Sequence, residues 1–126
     1  AFATDDGLSY IDRHFGDALY YDIYKIDGGI STFIKRIDNN TEEDDDDEGH
    51  GDPTKAHSVA SMLKKEGVQV TVSRVYGPNI KRIKKKFLCI VTKERSIKES
   101  LTALTGMMST LFEELSKGEE KNIIRI

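Results

Sequence analysis

The sequence predicts an α/β fold in which a mixed sheet of about five strands is flanked by helices. The main indication is the order of its apolar patterns, which alternate between strand and helix after an initial β-hairpin. A length of 126 residues, 37% of them hydrophobic, is enough to bury one core and predicts a single domain over residues 1–126. The lone cysteine, Cys89, excludes an internal disulfide and lies in an apolar run, where a buried structural thiol is expected.

The first part of the chain predicts a strand followed by a hairpin. Residues 1–4 are short and apolar and run into the turn-forming sequence Asp5-Asp6-Gly7. Residues 19–26 alternate between two faces and are rich in aromatic and β-branched side chains, and residues 30–37 alternate again. The intervening Asp27-Gly28-Gly29 suits a tight turn, so these two segments should pair as a β-hairpin.

A strongly acidic segment separates the hairpin from the first helix. Residues 38–52 are almost wholly polar and include seven consecutive acids, Glu42 to Glu48, which repel one another and offer nothing to bury. We therefore expect an acidic surface loop over 38–52. Asp52-Pro53 then predicts a helix start and Gly67 its end, because the apolar residues between them recur at spacings of three and four.

The next segments predict a strand, a short helix and a second strand. Residues 68–72 alternate as a strand, and Gly77-Pro78 opens a short helix over 79–86. The run 87–91 is continuously apolar, which is typical of a strand buried on both faces.

The end of the sequence predicts the longest helix. Ser96 and Glu99 form a capping box, and the apolar residues that follow are spaced by four and three up to Gly118, where one continuous helix should end. Residues 122–126 form an apolar tail that either pairs with the sheet or frays.

Composition and charge exclude several classes of protein. One cysteine and three histidines cannot build a four-cysteine zinc or iron-sulfur cage. There is no apolar run of about 20 residues and no signal pattern, so we expect no membrane association and a cytoplasmic location. The net charge of −3 conceals a split, with 15 acidic and 5 basic residues in 1–63 against 7 acidic and 14 basic in 64–126. Such an asymmetry suggests an ionic partner.

The motifs of several common enzyme classes are absent from the sequence. It has no Gly-x-Ser-x-Gly, no Walker loop and no Gly-x-Gly-x-x-Gly, so a non-enzymatic role is predicted. One hydrolytic alternative stays open. Asp5 and Asp6 at a strand end could hold a metal for phosphoryl chemistry, although adjacent acids in a turn more often only form the turn.

Three histidines are the candidate metal ligands. His14 follows the first strand, between Arg13 and the pair Phe15-Gly16. Phe15 can anchor this loop in the core and leave the imidazole at the strand end, where α/β sheets commonly bind ligands. His50 and His57 are weaker candidates because their spacing matches no zinc signature.

The basic segment 81–86 supports an alternative function. It contains five lysines or arginines and could serve an interaction or nucleic-acid-binding module. Nucleic acid is not the favoured ligand, because the whole chain has a pI of about 5.6 and no aromatic residues alternate with the lysines. A cationic face for a smaller anion is the remaining interpretation.

Four motifs resemble the dinitrogenase iron-molybdenum cofactor biosynthesis family. They are the turn Asp5-Asp6-Gly7, the run His14 to Ala18, the aromatic strand Tyr20 to Asp27, and Gly77-Pro78 at the start of a later helix. The resemblance implies a ribonuclease-H-like three-layer fold without nuclease activity. It further implies a protein that binds or carries the iron-molybdenum cofactor or its iron-sulfur precursors.

The resemblance also assigns residues to the binding site. The family's motif histidine corresponds to His14, with Phe15 and Gly16 as its setting. A prebuilt cluster brings its own sulfides, so one imidazole and cationic side chains such as Arg13 suit a carrier. The helix start at Gly77 could direct backbone amides toward an anion.

Two positions depart from the family pattern. Asp12 stands where a small hydroxyl residue is common, and no cysteine near His57 corresponds to the one that many relatives have at the first helix. The expected metal ligands are therefore His14, with His50 and His57 as lesser candidates. The expected partners are the metallocluster and cofactor-assembly proteins.

Overall fold

A computed structural model describes residues 1–39 and 53–126, with the side chains of 53–57 left undescribed. In these ranges the strands are β1 (Phe2–Thr4), β2 (Tyr20–Asp27), β3 (Ile30–Asp38), β4 (Val70–Ser73), β5 (Leu88–Val91) and β6 (Ile124–Arg125). The helices are α1 (Pro53–Lys65), α2 (Ile80–Lys86), α3 (Ile97–Thr105) and α4 (Met108–Leu115). Two short 3-10 turns lie at Phe15–Asp17 and Gly118–Glu120.

The strands form one mixed sheet in the order β3-β2-β1-β4-β5-β6. The hairpin strands β2 and β3 pair antiparallel, and β2 pairs antiparallel with β1. From β1 through β4 and β5 to β6 the pairing is parallel. The predicted α/β class and mixed sheet are therefore confirmed.

Helices cover both faces of this sheet. Alternate residues of β1 and β5 point to opposite sides, so Ala3 and Cys89 join one buried cluster while Phe2, Leu88 and Ile90 join another. The first cluster includes α1 and α2 residues, namely Val59, Ala60, Leu63 and Ile83. The second includes α3 and α4 residues, namely Ile97, Leu104 and Leu111. This is the three-layer arrangement, with the sheet between two helical layers.

The sheet has one strand more than predicted. Ile124 pairs with Ile90 and Arg125 with Val91, so the tail pairs with the edge of the sheet rather than fraying. The backbone N–H of Ile126 donates to the carbonyl of Val91 at 2.9 Å. A strand of two residues is too short to show an alternating pattern, which explains why sequence periodicity indicated only five.

The prediction of one long carboxyl-terminal helix is wrong. The capping box is present, because the Ser96 hydroxyl accepts from Glu99 N–H at 3.2 Å and donates to the Glu99 carboxylate at 2.8 Å. The helix then ends after Thr105, and α4 begins at Met108. Gly106 lies at the break, where its N–H donates to the carbonyl of Ala103 at 3.2 Å, three residues back. Glycine favours such a break because it lacks the side-chain restriction that supports a helix.

The hairpin and the first helix agree with the predicted pattern. Gly28 and Gly29 both have positive φ at the turn, and Gly67, at φ +79°, follows the end of α1. Strand β3 continues to Asp38, and the rest of the predicted acidic loop 38–52 lies outside the described residues from residue 40 onward. Among the described residues, no helix is both long and apolar enough to cross a membrane.

Candidate functional site

The candidate site lies at the edge of the sheet where the parallel strands end. Strands β1, β4 and β5 run parallel, so the segments that follow Thr4, Ser73 and Val91 leave the sheet on the same side. Ligands of open α/β sheets bind at this carboxyl-terminal edge. The segment that contains His14 follows β1 and therefore belongs to this edge.

The structure brings together two of the predicted binding residues, His14 and Gly77. Gly77 has φ +78°, and a Cβ atom added to it would lie 2.6 Å from Cγ and 2.7 Å from Cε1 of His14. The imidazole therefore packs directly against the Cα of Gly77. No other residue type would leave this space, and glycine also tolerates the positive φ.

An aromatic stack holds these two residues in place. The residue after His14, Phe15, and the residue before Gly77, Tyr76, stack with ring centroids 5.2 Å apart and an interplanar angle of 19°. Phe15 is fully buried and also contacts Tyr21, whose hydroxyl donates to the Phe15 carbonyl at 2.7 Å. The Tyr76 hydroxyl donates to the carbonyl of Ile90 at 3.2 Å in β5. Burial raises the pKa of Tyr76, so this phenol keeps its proton. The His14 backbone is thus anchored to the core.

A side-chain amide from the end of the hairpin fixes the turn after His14. The Asn39 Nδ2 group donates to the carbonyl of Gly16 at 2.9 Å and to that of Ala18 at 2.8 Å. The carbonyl of His14 accepts from Asp17 N–H at 2.8 Å, which closes the 3-10 turn. These bonds satisfy backbone groups that a tight turn would otherwise leave without partners.

Arg13 is tied to the end of β1. Its Nη2 donates to the Asp5 carboxylate at 2.7 and 3.0 Å and to the carbonyl of Asp17 at 3.2 Å. Asp5 also accepts from Leu19 N–H at 2.9 Å, so this carboxylate bridges both ends of the His14 segment. Sequence reasoning considered Asp5 as a metal ligand or a turn-forming residue and missed its contacts with Arg13 and Leu19. The sequence feature that could have indicated these contacts is the position of Asp5 at the end of the first predicted strand.

One of the two positions that depart from the family pattern, residue 12, also contacts a neighbour of the site. Asp12, two residues before His14, accepts from Arg74 Nη1 at 2.6 Å. Arg74 directly follows β4, three residues before Gly77. The two segments that carry His14 and Gly77 are therefore joined by an ion pair as well as by the aromatic stack.

Comparison with known families decides the relationship of this chain. The sequence profile of the family described as dinitrogenase iron-molybdenum cofactor matches residues 1–106. The chain belongs to the dinitrogenase iron-molybdenum cofactor family. The match contains β1 to β5, α1 to α3 and the residues His14 and Gly77. No curated protein and no solved structure matches the chain. Membership of the dinitrogenase iron-molybdenum cofactor family indicates a role in the biosynthesis or binding of that cofactor.

The side chains of the other two predicted metal ligands, His50 and His57, are not described by the structure. His50 lies outside the described residues, and the side chain of His57 is undescribed, although α1 contacts the 3-10 turn after His14. Cys89 is fully buried, and burial raises the pKa of its thiol to about 11. Within the described part of the chain, no three His, Cys, Asp or Glu residues are grouped to hold a metal ion.

Both acids of the hydrolytic alternative have structural partners. Asp5 pairs with Arg13, and one oxygen of Asp6 accepts from the N–H groups of Leu8 and Ser9 at 2.8 Å each. These backbone bonds lower the pKa of Asp6, because they favour the charged carboxylate. The two carboxylates therefore shape the turns that lead to His14.

The basic segment 81–86 forms most of α2 and contacts α1 and β5. Ile83 is buried against the sheet, while Lys81, Arg82, Lys85 and Lys86 are exposed. The backbone N–H of Ile80 donates to the carbonyl of Gly77 at 3.2 Å, so this amide of the helix start is used within the chain. In the structure Gly77 contributes space for the imidazole of His14.

Proposed function

We propose that this protein binds and carries the iron-molybdenum cofactor, or an iron-sulfur precursor of it, without catalysing a reaction. The observation that carries this proposal is the placement of His14. Its imidazole rests on Gly77 at the carboxyl-terminal edge of the sheet, and a buried stack of Phe15 and Tyr76 supports it. A single ordered imidazole in a cofactor-family chain is a suitable ligand for an incoming cluster.

The composition of the site favours a transient carrier over a permanent cluster protein. A preassembled cluster already has sulfide ligands on most of its metal atoms, so few protein ligands are needed. Imidazole binds iron and related metals through a neutral nitrogen, which permits later release. The buried thiol of Cys89 is not available to compete for metal, because its pKa is raised to about 11.

Hydrogen-bond donors near His14 suit an anionic ligand. Arg13 and Arg74 lie on the two segments that carry His14 and Gly77, and each pairs with one aspartate. Arginine offers five N–H donors, so both retain further donors beyond the bonds described. We propose His14 as the metal ligand, with Arg13, Phe15, Gly16 and Gly77 as its setting. His50 and His57 remain proposed as lesser ligands. The proposed carrier would act in the cytoplasm and deliver its cargo to cofactor-assembly proteins.

The test is anaerobic loading of the full chain with isolated iron-molybdenum cofactor, followed by metal analysis after gel filtration. We expect stoichiometric iron and molybdenum on the parent protein and a sharp fall for His14→Ala. His57→Ala and His50→Ala test the two lesser ligands, and each should lower the metal content less than His14→Ala does. A parallel loading with an iron-sulfur precursor distinguishes the two cargoes.

Two outcomes would contradict the proposal. Equal metal retention by His14→Ala would remove His14 from the site, provided that NMR spectra show both proteins folded. Absence of metal from the parent protein after loading with either cluster would contradict the carrier function itself.

A further inference from the structure

A second feature of the same sheet edge is an open cavity of about 830 Å³ beyond the ends of β4, β5 and β6. Three basic side chains line it, and each comes from a different part of the chain: Arg74, Lys93 and Arg125. None of the three belongs to the basic segment 81–86 that sequence analysis singled out.

The register of the sheet explains why these residues meet. Ser73 pairs with Val91, and Val91 pairs with Arg125. The last residues of β4, β5 and β6 therefore lie side by side at the edge of the sheet. Arg74 directly follows Ser73, and Lys93 lies two residues beyond Val91. Parallel strands that end in register bring the residues after them to one place. The convergence is therefore a consequence of the fold.

The guanidinium of Arg74 has unused capacity at this place. Its Nη1 donates to Asp12 at 2.6 Å, and its side chain is only 24% exposed. Its Nε atom is buried, and the described part of the chain offers it no hydrogen-bond partner. Because Nε is inaccessible to solvent, a ligand in the open cavity would meet the terminal Nη groups of Arg74 and not Nε.

The remaining lining residues define the ligand chemistry. Asp12 and Glu94 also line the cavity, and one Arg74 nitrogen is engaged by Asp12. The side chains that line the cavity thus carry three positive and two negative charges. Arginine binds planar or tetrahedral oxyanions through several N–H groups at once, and lysine adds a point charge. The size is within the range of small-molecule sites.

We propose that this cavity binds an oxyanion group, a carboxylate or a phosphate, through Arg74, Lys93 and Arg125. This cavity shares Arg74 with the surroundings of His14, but the proposal rests on the three basic residues and not on cluster binding at His14. Carboxylate and phosphate share the same recognition chemistry, and the experiment separates them.

The test is NMR titration of the full chain with citrate and, separately, with inorganic phosphate, each at constant ionic strength. Sodium chloride is the control anion. We expect shifts of the amide signals of residues 74, 93, 94 and 125 with at least one oxyanion, and none with chloride. Shifts with citrate alone assign a polycarboxylate ligand, and shifts with phosphate alone assign a phosphorylated one.

Charge variants then test the residues. Lys93→Gln and Arg125→Gln should each weaken binding about tenfold, as expected for the loss of one charge-assisted hydrogen bond. Lys98→Gln is the matched control, because Lys98 is an exposed lysine on α3 that does not line the cavity. It should leave the affinity unchanged.

Several results would overturn the proposal. One is the absence of shifts with either anion at about 10 mM, where a site with a Kd of 1 mM would be nearly filled. Another is equal affinity in Lys93→Gln, Arg125→Gln and the parent protein. Because no metal is used, failure here leaves the cluster-loading result at His14 unaffected.

Discussion

The imidazole of His14 lies against the bare Cα of Gly77, so closely that a methyl group at position 77 would occupy the place of the ring. The adjacent pair, Phe15 and Tyr76, stacks in the core at 5.2 Å. Two consecutive residues on each of two segments therefore form one unit, with its aromatic half buried and its histidine half at the surface. This unit fixes the position of His14, the proposed metal ligand.

Substitution of Gly77 by alanine should displace His14. Gly67 is a matched control, because its φ of +79° equals that of Gly77 within a degree while nothing lies within 4 Å of an added Cβ. Both substitutions should cost about 1 kcal/mol of stability from the positive φ. Only Gly77→Ala should shift the imidazole NMR signals of His14 and reduce cluster retention. Unchanged His14 signals in folded Gly77→Ala would contradict the packing of the ring on Gly77.

The break between α3 and α4 should tolerate alanine. Gly106 has a right-handed conformation, with φ −85° and ψ −4°, and an added Cβ would meet its nearest atom at 3.6 Å. Gly106→Ala should therefore raise the free energy of unfolding by about 0.5 to 1 kcal/mol, because it restricts the unfolded chain. Gly118→Ala, at φ +62°, should lower it by about 1 kcal/mol. Urea denaturation measures both, and a destabilised Gly106→Ala would show that the break itself needs glycine.

The thiol of Cys89 should be unreactive in the native protein. Burial raises its pKa to about 11, so little thiolate exists at pH 8, and the side chain is inaccessible to reagent. A thiol-specific colorimetric reagent should react slowly with native protein and at once with protein unfolded in guanidinium. Fast reaction at pH 8 without denaturant would mean that β5 opens readily or that the thiol is less buried than described.

Acid should weaken the attachment of the carboxyl-terminal tail. The ammonium of Lys117 and the Asn122 N–H, which donates at 2.7 Å, hold the pKa of Glu114 below its usual 4.5. A lowered carboxylate pKa gives stability that is present above pH 4.5 and is lost as the pH falls through the native pKa. Glu114→Gln should therefore flatten the decline of unfolding free energy between pH 5 and pH 3. Glu113→Gln, at an exposed neighbouring position, should leave the slope of the parent protein, and equal slopes for both variants would contradict the assignment.

Local patterns in the sequence predicted much of the fold, and they failed where distant parts of the chain meet. The apolar spacing from Ile97 to Leu111 continues through the break at Gly106, since Ile97, Leu104 and Leu111 all face the same cluster. Periodicity therefore indicated one helix instead of two. The sequence left open whether the tail that forms β6 pairs or frays, because its two strand residues pair only with a partner more than 30 residues away.

In the candidate site, too, the sequence predicted a local motif but not the contacts between residues far apart in the chain. The motif around His14 is contiguous, so a family resemblance could find it. The contact of His14 with Gly77 joins residues 63 positions apart, and no local pattern predicts it. Arg74 was missed for a related reason, because an isolated arginine after a short strand becomes notable only when the sheet register places Lys93 and Arg125 beside it.

The family profile ends at residue 106, but the second helical layer does not. Helix α4 and strand β6 follow that boundary, and Leu111 belongs to the cluster that covers Phe2, Leu88 and Ile90. The segment that matches the family is thus shorter than the segment that forms the sheet and its two helical layers. A chain cut after Gly106 would keep every recognisable motif and yet lose Leu111 from the layer over Phe2, Leu88 and Ile90, with α3 left to cover that face.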